Sequence, residues 1–154
     1  MAKPPVPAKG DLGKGVRLGL LTTEFNRDIT DAMRALALET AKRLGAKVVV
    51  DARAAGSYDT PLLAQTILGR RDVDGLVVLG AVITGETKHD ELVAFEAARA
   101  LTEVALRLKK PVAFGITGPG QTRAQAQARI ERAAWAVESV CKTLSSLRGL
   151  RSLR

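Results

Sequence analysis

Ten consecutive residues near the middle of the chain, "DGLVVLGAVI" (Asp74 to Ile83), carry no charge after the first. A strand with one wet face alternates apolar and polar side chains, because successive residues point to opposite faces of the sheet. An unbroken apolar run of this length fits a strand that is covered on both faces. Such strands belong to parallel sheets with helices packed on either side.

The rest of the chain supplies the partners that such a strand needs. "VRLGLLTTEF" (Val16 to Phe25) reads as a first strand with Phe25 at its end. Met33, Leu36, Thr40, Ala41 and Leu44 then recur at helical spacing, and Gly45 terminates the helix. "KVVVDAR" (Lys47 to Arg53) is a second strand, "AAGSYDTP" a loop, and "PLLAQTILGRR" a short helix with Pro61 in its first turn. After the central run, His89 to Lys109 is helical, with Val93, Ala97, Leu101, Val104 and Leu108 on one face. "PVAFGIT" is a fourth strand. Gln121 to about Leu147 forms a long last helix, uninterrupted because Ala124 to Val137 contains no Gly or Pro. Strand and helix alternate throughout, so the expected fold is α/β: a three-layer sandwich with a four-stranded parallel sheet flanked by helices.

Charge sharpens the organisation. The formal net charge is +8, yet residues 1–15 hold +2 (Lys3, Lys9 and Lys14 against Asp11). Residues 142–154 hold +4 (Lys142, Arg148, Arg151 and Arg154), which leaves only +2 for the body. We therefore expect a basic, disordered arm over 1–15, one folded domain over 16–147 and a basic tail over 148–154, with no specific nucleic-acid face on the domain. The tail leucines Leu144, Leu147, Leu150 and Leu153 stand three apart, so they wind around a helix and form no membrane-facing stripe. No apolar run reaches the roughly 18 residues that a membrane span needs, and "MAKPPVPAKG" lacks the apolar centre of a secretory signal. The single cysteine, Cys141, has no partner for an internal disulfide or a metal site. The expectation is a cytoplasmic protein without a metal.

Right-handed crossovers put the carboxyl ends of all four strands on one edge, where open sheets of this type bind ligands. Four loops meet there: "TTEFN", "RAAGSYD", "GAVITGET" and "GITGPG". The third leads into Thr87-Lys88-His89-Asp90, which fits a capping box with Thr87 as N-cap and Asp90 at the third helical position. The amides of Gly85, Glu86 and Thr87 would then face an anion, with His89, the only histidine, beside it. Aromatics are 3% of the chain, so each ring counts. Phe25 and Tyr58 both fall at this edge among polar neighbours, a placement that suits a flat ligand.

These stretches have a further property in common. "TEFNRDIT", "GSYDTP", "LGAVITGETKHDELV" and "GITGPGQTRAQAQARIERAAWAVE" together resemble the archaeal-type lumazine synthase family, in order and at matching spacing from about Val16 to Lys142. The resemblance implies flavodoxin-like strand order. It implies a condensation of 5-amino-6-(D-ribitylamino)uracil with 3,4-dihydroxy-2-butanone 4-phosphate that gives 6,7-dimethyl-8-ribityllumazine, phosphate and water, without cofactor or metal. It implies roles as well. Phe25 would stack on the pyrimidine; Ser57, Tyr58 and Asp59 would line the ribityl and ring pocket; Ala81, Val82 and Ile83 would meet the pyrimidine through backbone groups. Glu86 and Thr87 would lie at the phosphate, Arg129 would clamp it, and His89 would donate and accept protons. Phe114 and Arg129 would come from the neighbouring subunit of a pentamer; such pentamers either stay separate or close into a sixty-subunit shell, and the shell is the expectation because no insertion interrupts the region of the last helix.

Two departures from the family pattern stand out. Ala55-Gly56-Ser57-Tyr58-Asp59 lacks the usual proline and adds two hydroxyls, and a second basic residue is missing around Ala134 and Trp135, where Arg132 is the available substitute. Two rival readings stay open on the residues: an archaeal-type riboflavin synthase, which shares the fold but acts on the lumazine product, and an inactive shell-forming or nucleic-acid-binding relative. "GETKHDE" and "GPGQTR" favour the lumazine synthase.

Overall fold

The structure is a computed structural model and describes residues 9–153. Eight of the fifteen residues assigned to the basic arm, and Arg154, lie outside the described residues. Four strands, β1 (Arg17–Thr23), β2 (Lys47–Ala54), β3 (Gly75–Ala81) and β4 (Val112–Thr117), form one sheet in the order β2-β1-β3-β4. Every pairing is parallel, and the order is the flavodoxin-like one. The helices are α1 (Arg27–Leu44), α2 (Thr60–Leu68), α3 (His89–Leu108), α4 (Arg123–Ala128) and α5 (Arg132–Arg151).

The central apolar run behaves as its composition demands: all seven residues of β3 are buried. Alternation then divides the core in two. Val77 and Leu79 join Leu18 and Leu20 of β1 under Met33, Ala37, Val137 and Val140 of α1 and α5. Leu76 and Val78 join Leu21 under Ala64, Leu68, Ala97 and Leu101 of α2 and α3. Each fully buried leucine stabilises the fold by roughly 1.5–3 kcal/mol relative to an exposed one. The outer strands are less covered, and Phe114 of β4 stands exposed.

Helix ends follow local chemistry. Gly45 closes α1 in the left-handed conformation (φ 82°), with its N–H bonded to the Ala41 and Lys42 carbonyls. Residues 9–15 turn back beneath that end, held by Gly13 N–H to Leu44 O at 2.8 Å. At the opposite end of the sheet from the ligand edge, Arg17 and Asp74 lock the starts of β1 and β3. Arg17 N–H donates to Asp74 Oδ2 at 2.8 Å, Asp74 N–H to Arg17 O at 2.8 Å, and the guanidinium pairs with the carboxylate at 3.1 Å.

Three expectations are corrected. First, β1 ends at Thr23, not at Phe25: Glu24 N–H makes the last bond to β2, at Ala54 O, and Asn26 then turns left-handed (φ 56°), which ends extension. Second, the last helix is broken. Residues 129–131 are turns between α4 and α5, and Arg129 caps α4 with φ −106° and ψ 12°. No Gly or Pro was needed, because a short N-terminal helix closed by a Thr122–Gln125 capping box is docked separately by Gln121 and Arg123. Third, α5 continues to Arg151, past Leu147, since nothing in "SSLRGLR" except Gly149 opposes a helix.

Candidate active site

The loops at the carboxyl edge of the sheet enclose a cavity of about 450 Å³. Phe25, Ser57, Tyr58, Asp59, Ala81, Val82, Ile83, Thr87 and His89 all line it, together with Asn26, Gly56, Gly85, Asp90 and Val93. Nine of the twelve predicted site residues are thus brought to one place by a single chain. Glu86 is exposed and is not part of the wall. Phe114 and Arg129 lie elsewhere: with Gly118, Pro119 and Arg132 they border a second depression of about 370 Å³ on the outer side of β4.

The two rings in the cavity are largely free. Phe25 is 73% exposed and Tyr58 65%. An apolar ring left in water at a cavity mouth costs free energy that a flat ligand would recover. Below them the second loop is a 3-10 turn, Ser57–Asp59. Asp59 holds this turn locally, since its Oδ2 accepts from Gly56 N–H at 3.0 Å, and Thr60 Oγ1 donates to Ser57 O at 2.7 Å. The Ser57 side chain is buried at the base, where its hydroxyl and that of Thr23 flank Gly80.

The wall at residues 81–83 has defined backbone vacancies. Ala81 O accepts from Asn26 Nδ2 at 2.9 Å, Val82 N–H donates to Thr117 O at 2.9 Å, and Val82 O accepts from Gln121 Nε2 at 3.2 Å. The N–H and carbonyl of Ile83 have no partner among the described residues, so they are the pair open to a ligand's hydrogen bonds.

The start of α3 departs from the expected capping box. The N-cap position is Lys88, without a side-chain bond. Thr87 Oγ1 accepts from His89 N–H at 3.3 Å, two residues on, so Thr87 shapes the turn before the helix. Asp90 does not reach back to Thr87. Its Oδ2 accepts from Thr84 Oγ1 at 3.3 Å and from Gly120 N–H at 3.2 Å, tying the β3–α3 loop to the β4–α4 loop. His89 is exposed and lines the cavity at the first residue of the helix, where the backbone amides and helix dipole favour negative charge.

Reasoning from sequence missed three positioning residues. Asn26 bridges Ala81 O and Arg123, whose Nη1 donates to Asn26 Oδ1 at 3.4 Å. Arg123 also pairs with Asp28 at the start of α1 and holds that carboxyl below its usual range. Gln121, completely buried, contacts Val82, Thr117 and Arg129. An Asn directly after the strand-end aromatic was a legible signal for the first, since Asn tolerates the left-handed turn that ends a strand; the other two depend on contacts remote in sequence. Gly118 could have been read from its role: it adopts φ 95°, and a Cβ there would collide with the Val82 carbonyl. The peptide bond that follows it, to Pro119, is cis.

Strand order, covered sheet and a one-histidine cavity at the carboxyl edge define a flavodoxin-like α/β protein with a ligand-sized site at that edge. The sequence model of one family, described as 6,7-dimethyl-8-ribityllumazine synthase, matches residues 15–148. Similar relatives carry the same description. The Methanopyrus kandleri protein is 47% identical over 135 residues, covering 88% of this chain and 96% of its own. The Methanococcus aeolicus protein is 47% identical over 88% and 99%, and that of Methanocaldococcus jannaschii 46% over 88% and 96%. The chain belongs to the 6,7-dimethyl-8-ribityllumazine synthase family.

Proposed function

We propose that this chain condenses 5-amino-6-(D-ribitylamino)uracil with 3,4-dihydroxy-2-butanone 4-phosphate to 6,7-dimethyl-8-ribityllumazine, the penultimate step of riboflavin biosynthesis. The observation that carries the reading is the single cavity in which Phe25, Tyr58, the open Ile83 backbone and His89 converge. Phe25 stacks on the pyrimidine, Ile83 pairs with its polar edge, and Ser57, Tyr58 and Asp59 hold the ribityl chain. The amine attacks the ketone to give an imine with loss of water, phosphate leaves, and the second nitrogen closes the ring with further dehydration. Each step moves a proton, and an imidazole exchanges protons near neutral pH. His89, beside the helix start where the phosphate sits near Glu86 and Thr87, is the donor and acceptor. Holding two substrates in register supplies much of the remaining acceleration.

The phosphate cation is Arg129 of the adjacent subunit, with Arg132 as the second. Arg132 stacks over Trp135 at 4.5 Å, which leaves its edge free for hydrogen bonds. Within one chain these arginines and Phe114 border a depression other than the cavity that holds His89, so a complete site needs two chains. Among the described residues the outer edges of β2 and β4 are unpaired and call for cover. An apolar groove of about 410 Å³ runs between α3 and α5 along β4, and Leu92, Phe95 and Leu106 of α3 are all more than 60% exposed. A ring of five subunits satisfies these needs, and we take twelve such rings to close into a sixty-subunit shell in the cytoplasm. The test supplies both substrates and follows lumazine absorbance together with phosphate release. Turnover that yields both supports the reading, whereas conversion of lumazine alone into riboflavin, with no condensation, would replace it.

A further inference from the structure

We propose that Gln121 is the positioning residue of the phosphate cation, orienting Arg129 for the next subunit's site while anchoring to the wall of its own. The proposal rests on the reading of Arg129 as the phosphate ligand. Arg129 sits in the break between α4 and α5, exposed, where no regular helix fixes its direction. A free arginine side chain has many rotamers, and immobilising them on binding weakens affinity. One hydrogen bond restrains it: Nη1 donates to Gln121 Oε1 at 2.9 Å. No carboxylate pairs with Arg129 among the described residues. A neutral acceptor aims the guanidinium without neutralising it, so the full positive charge stays available to an anion.

The other end of the same side chain explains why this residue is an amide. Gln121 is 0% exposed. Arginine can only donate, so the oxygen must face Arg129 and the NH₂ must face inward. There Nε2 donates to Thr117 Oγ1 at 2.9 Å and to Val82 O at 3.2 Å. The backbone carbonyl of Gln121 meanwhile accepts from Thr84 N–H at 2.9 Å. Only a side chain with an acceptor and two donors on one rigid plane satisfies all three side-chain partners. Glutamate would face the Val82 carbonyl with an oxygen and would cancel the charge on Arg129. Methionine would fill the space and satisfy none of the three. The arrangement also sets a register: Val82 lines one chain's own cavity, and Arg129 reaches out from the second depression. Gln121 spans the two.

The experiment compares Gln121→Met, Gln121→Glu, Arg129→Ala and the double variant Gln121→Met/Arg129→Ala as assembled enzymes. It reads KM for butanone phosphate, and Kd for the pyrimidine substrate by calorimetry. Gln121→Met should raise the phosphate-substrate KM about 10- to 100-fold, in the range of one lost hydrogen bond to a charged group, and change the pyrimidine Kd by less. The double variant should be no worse than Arg129→Ala alone, because both remove the same interaction. Gln121→Glu preserves the shape and should weaken the phosphate substrate at least as much as methionine does. It also keeps the test open if the methionine variant does not assemble. A normal KM in either Gln121 variant, beside a raised one in Arg129→Ala, overturns the positioning role. Additive losses in the double variant do the same. A normal KM in Arg129→Ala overturns the reading of Arg129 itself.

Discussion

His89 and Phe25 line the same cavity, and the proposed function gives them different work that substitution separates. His89→Ala removes the only imidazole of the chain from an exposed position with one backbone contact, so folding is spared. Turnover should fall by roughly 10- to 1000-fold, the range of a general acid-base group or below it, while both substrates still bind. Unchanged kcat at saturating substrates would remove His89 from the chemistry. Phe25→Ala instead deletes a ring that is 73% exposed and supports no core. Calorimetry with a lumazine analogue should show weaker binding by about 1 kcal/mol or more, the usual scale of an aromatic stack, with the butanone phosphate less affected. Equal affinity in wild type and variant would refute the stacking role. Cys141 takes no part in either function. It sits on the buried face of α5, and burial pushes its thiol up to about 11, so it is un-ionised and unreactive at neutral pH.

At the scale of elements, the sheet is fastened at the edge away from the cavity by Arg17 and Asp74. Partial burial of Asp74 favours its neutral form, but hydrogen bonds from the Arg17 side chain and backbone outweigh that and hold the carboxyl below the usual range. A carboxylate whose folded pKa is depressed adds stability above its unfolded value of about 3.9 and loses it as pH falls through the folded value. Asp74→Asn should therefore destabilise the fold by roughly 1 kcal/mol at pH 7, with a shallower loss of stability between about pH 4 and pH 2 than wild type. Urea melts across that range would show it; parallel curves would mean that Asp74 contributes no acid sensitivity. At the other edge, Asp90 and Gln121 fasten the β3–α3 loop to the β4–α4 loop. The loops around the cavity are thus cross-braced through side chains, not by their own backbone alone.

At the scale of the whole molecule, one chain presents the His89 cavity on one side and two arginines with Phe114 on another. If adjacent chains complete each other, mixing inactive His89→Ala with inactive Arg129→Ala subunits should restore activity after disassembly and co-assembly. In a random ring about a quarter of the sites would have both residues intact. Rescue should be absent when the two assemblies are mixed without dissociation. A fully active monomer in analytical ultracentrifugation would overturn the shared site, and a stable lone pentamer would overturn only the shell.

Much of this was readable along the chain because its causes are local. The apolar run of β3 forced a doubly covered strand, and the alternation of strands and helices then made the sheet parallel and put its loops on one edge. From that edge the motif residues Phe25, Ser57 to Asp59, Ala81 to Ile83, Thr87 and His89 could be gathered in advance. Other features have causes that are not local. The break at Arg129 carries no Gly or Pro, because docking of α4 through Gln121 and Arg123 decides it. Asp90 looked like the far half of a capping box, yet Gly120, thirty residues on, takes its carboxylate. The roles of Asn26, Arg123 and Gln121 exist only once β1, β3 and α4 meet. Hydrophobic periodicity records which face of an element is buried, whereas a hydrogen bond between remote polar groups leaves no period in the sequence, so only the folded chain could decide it.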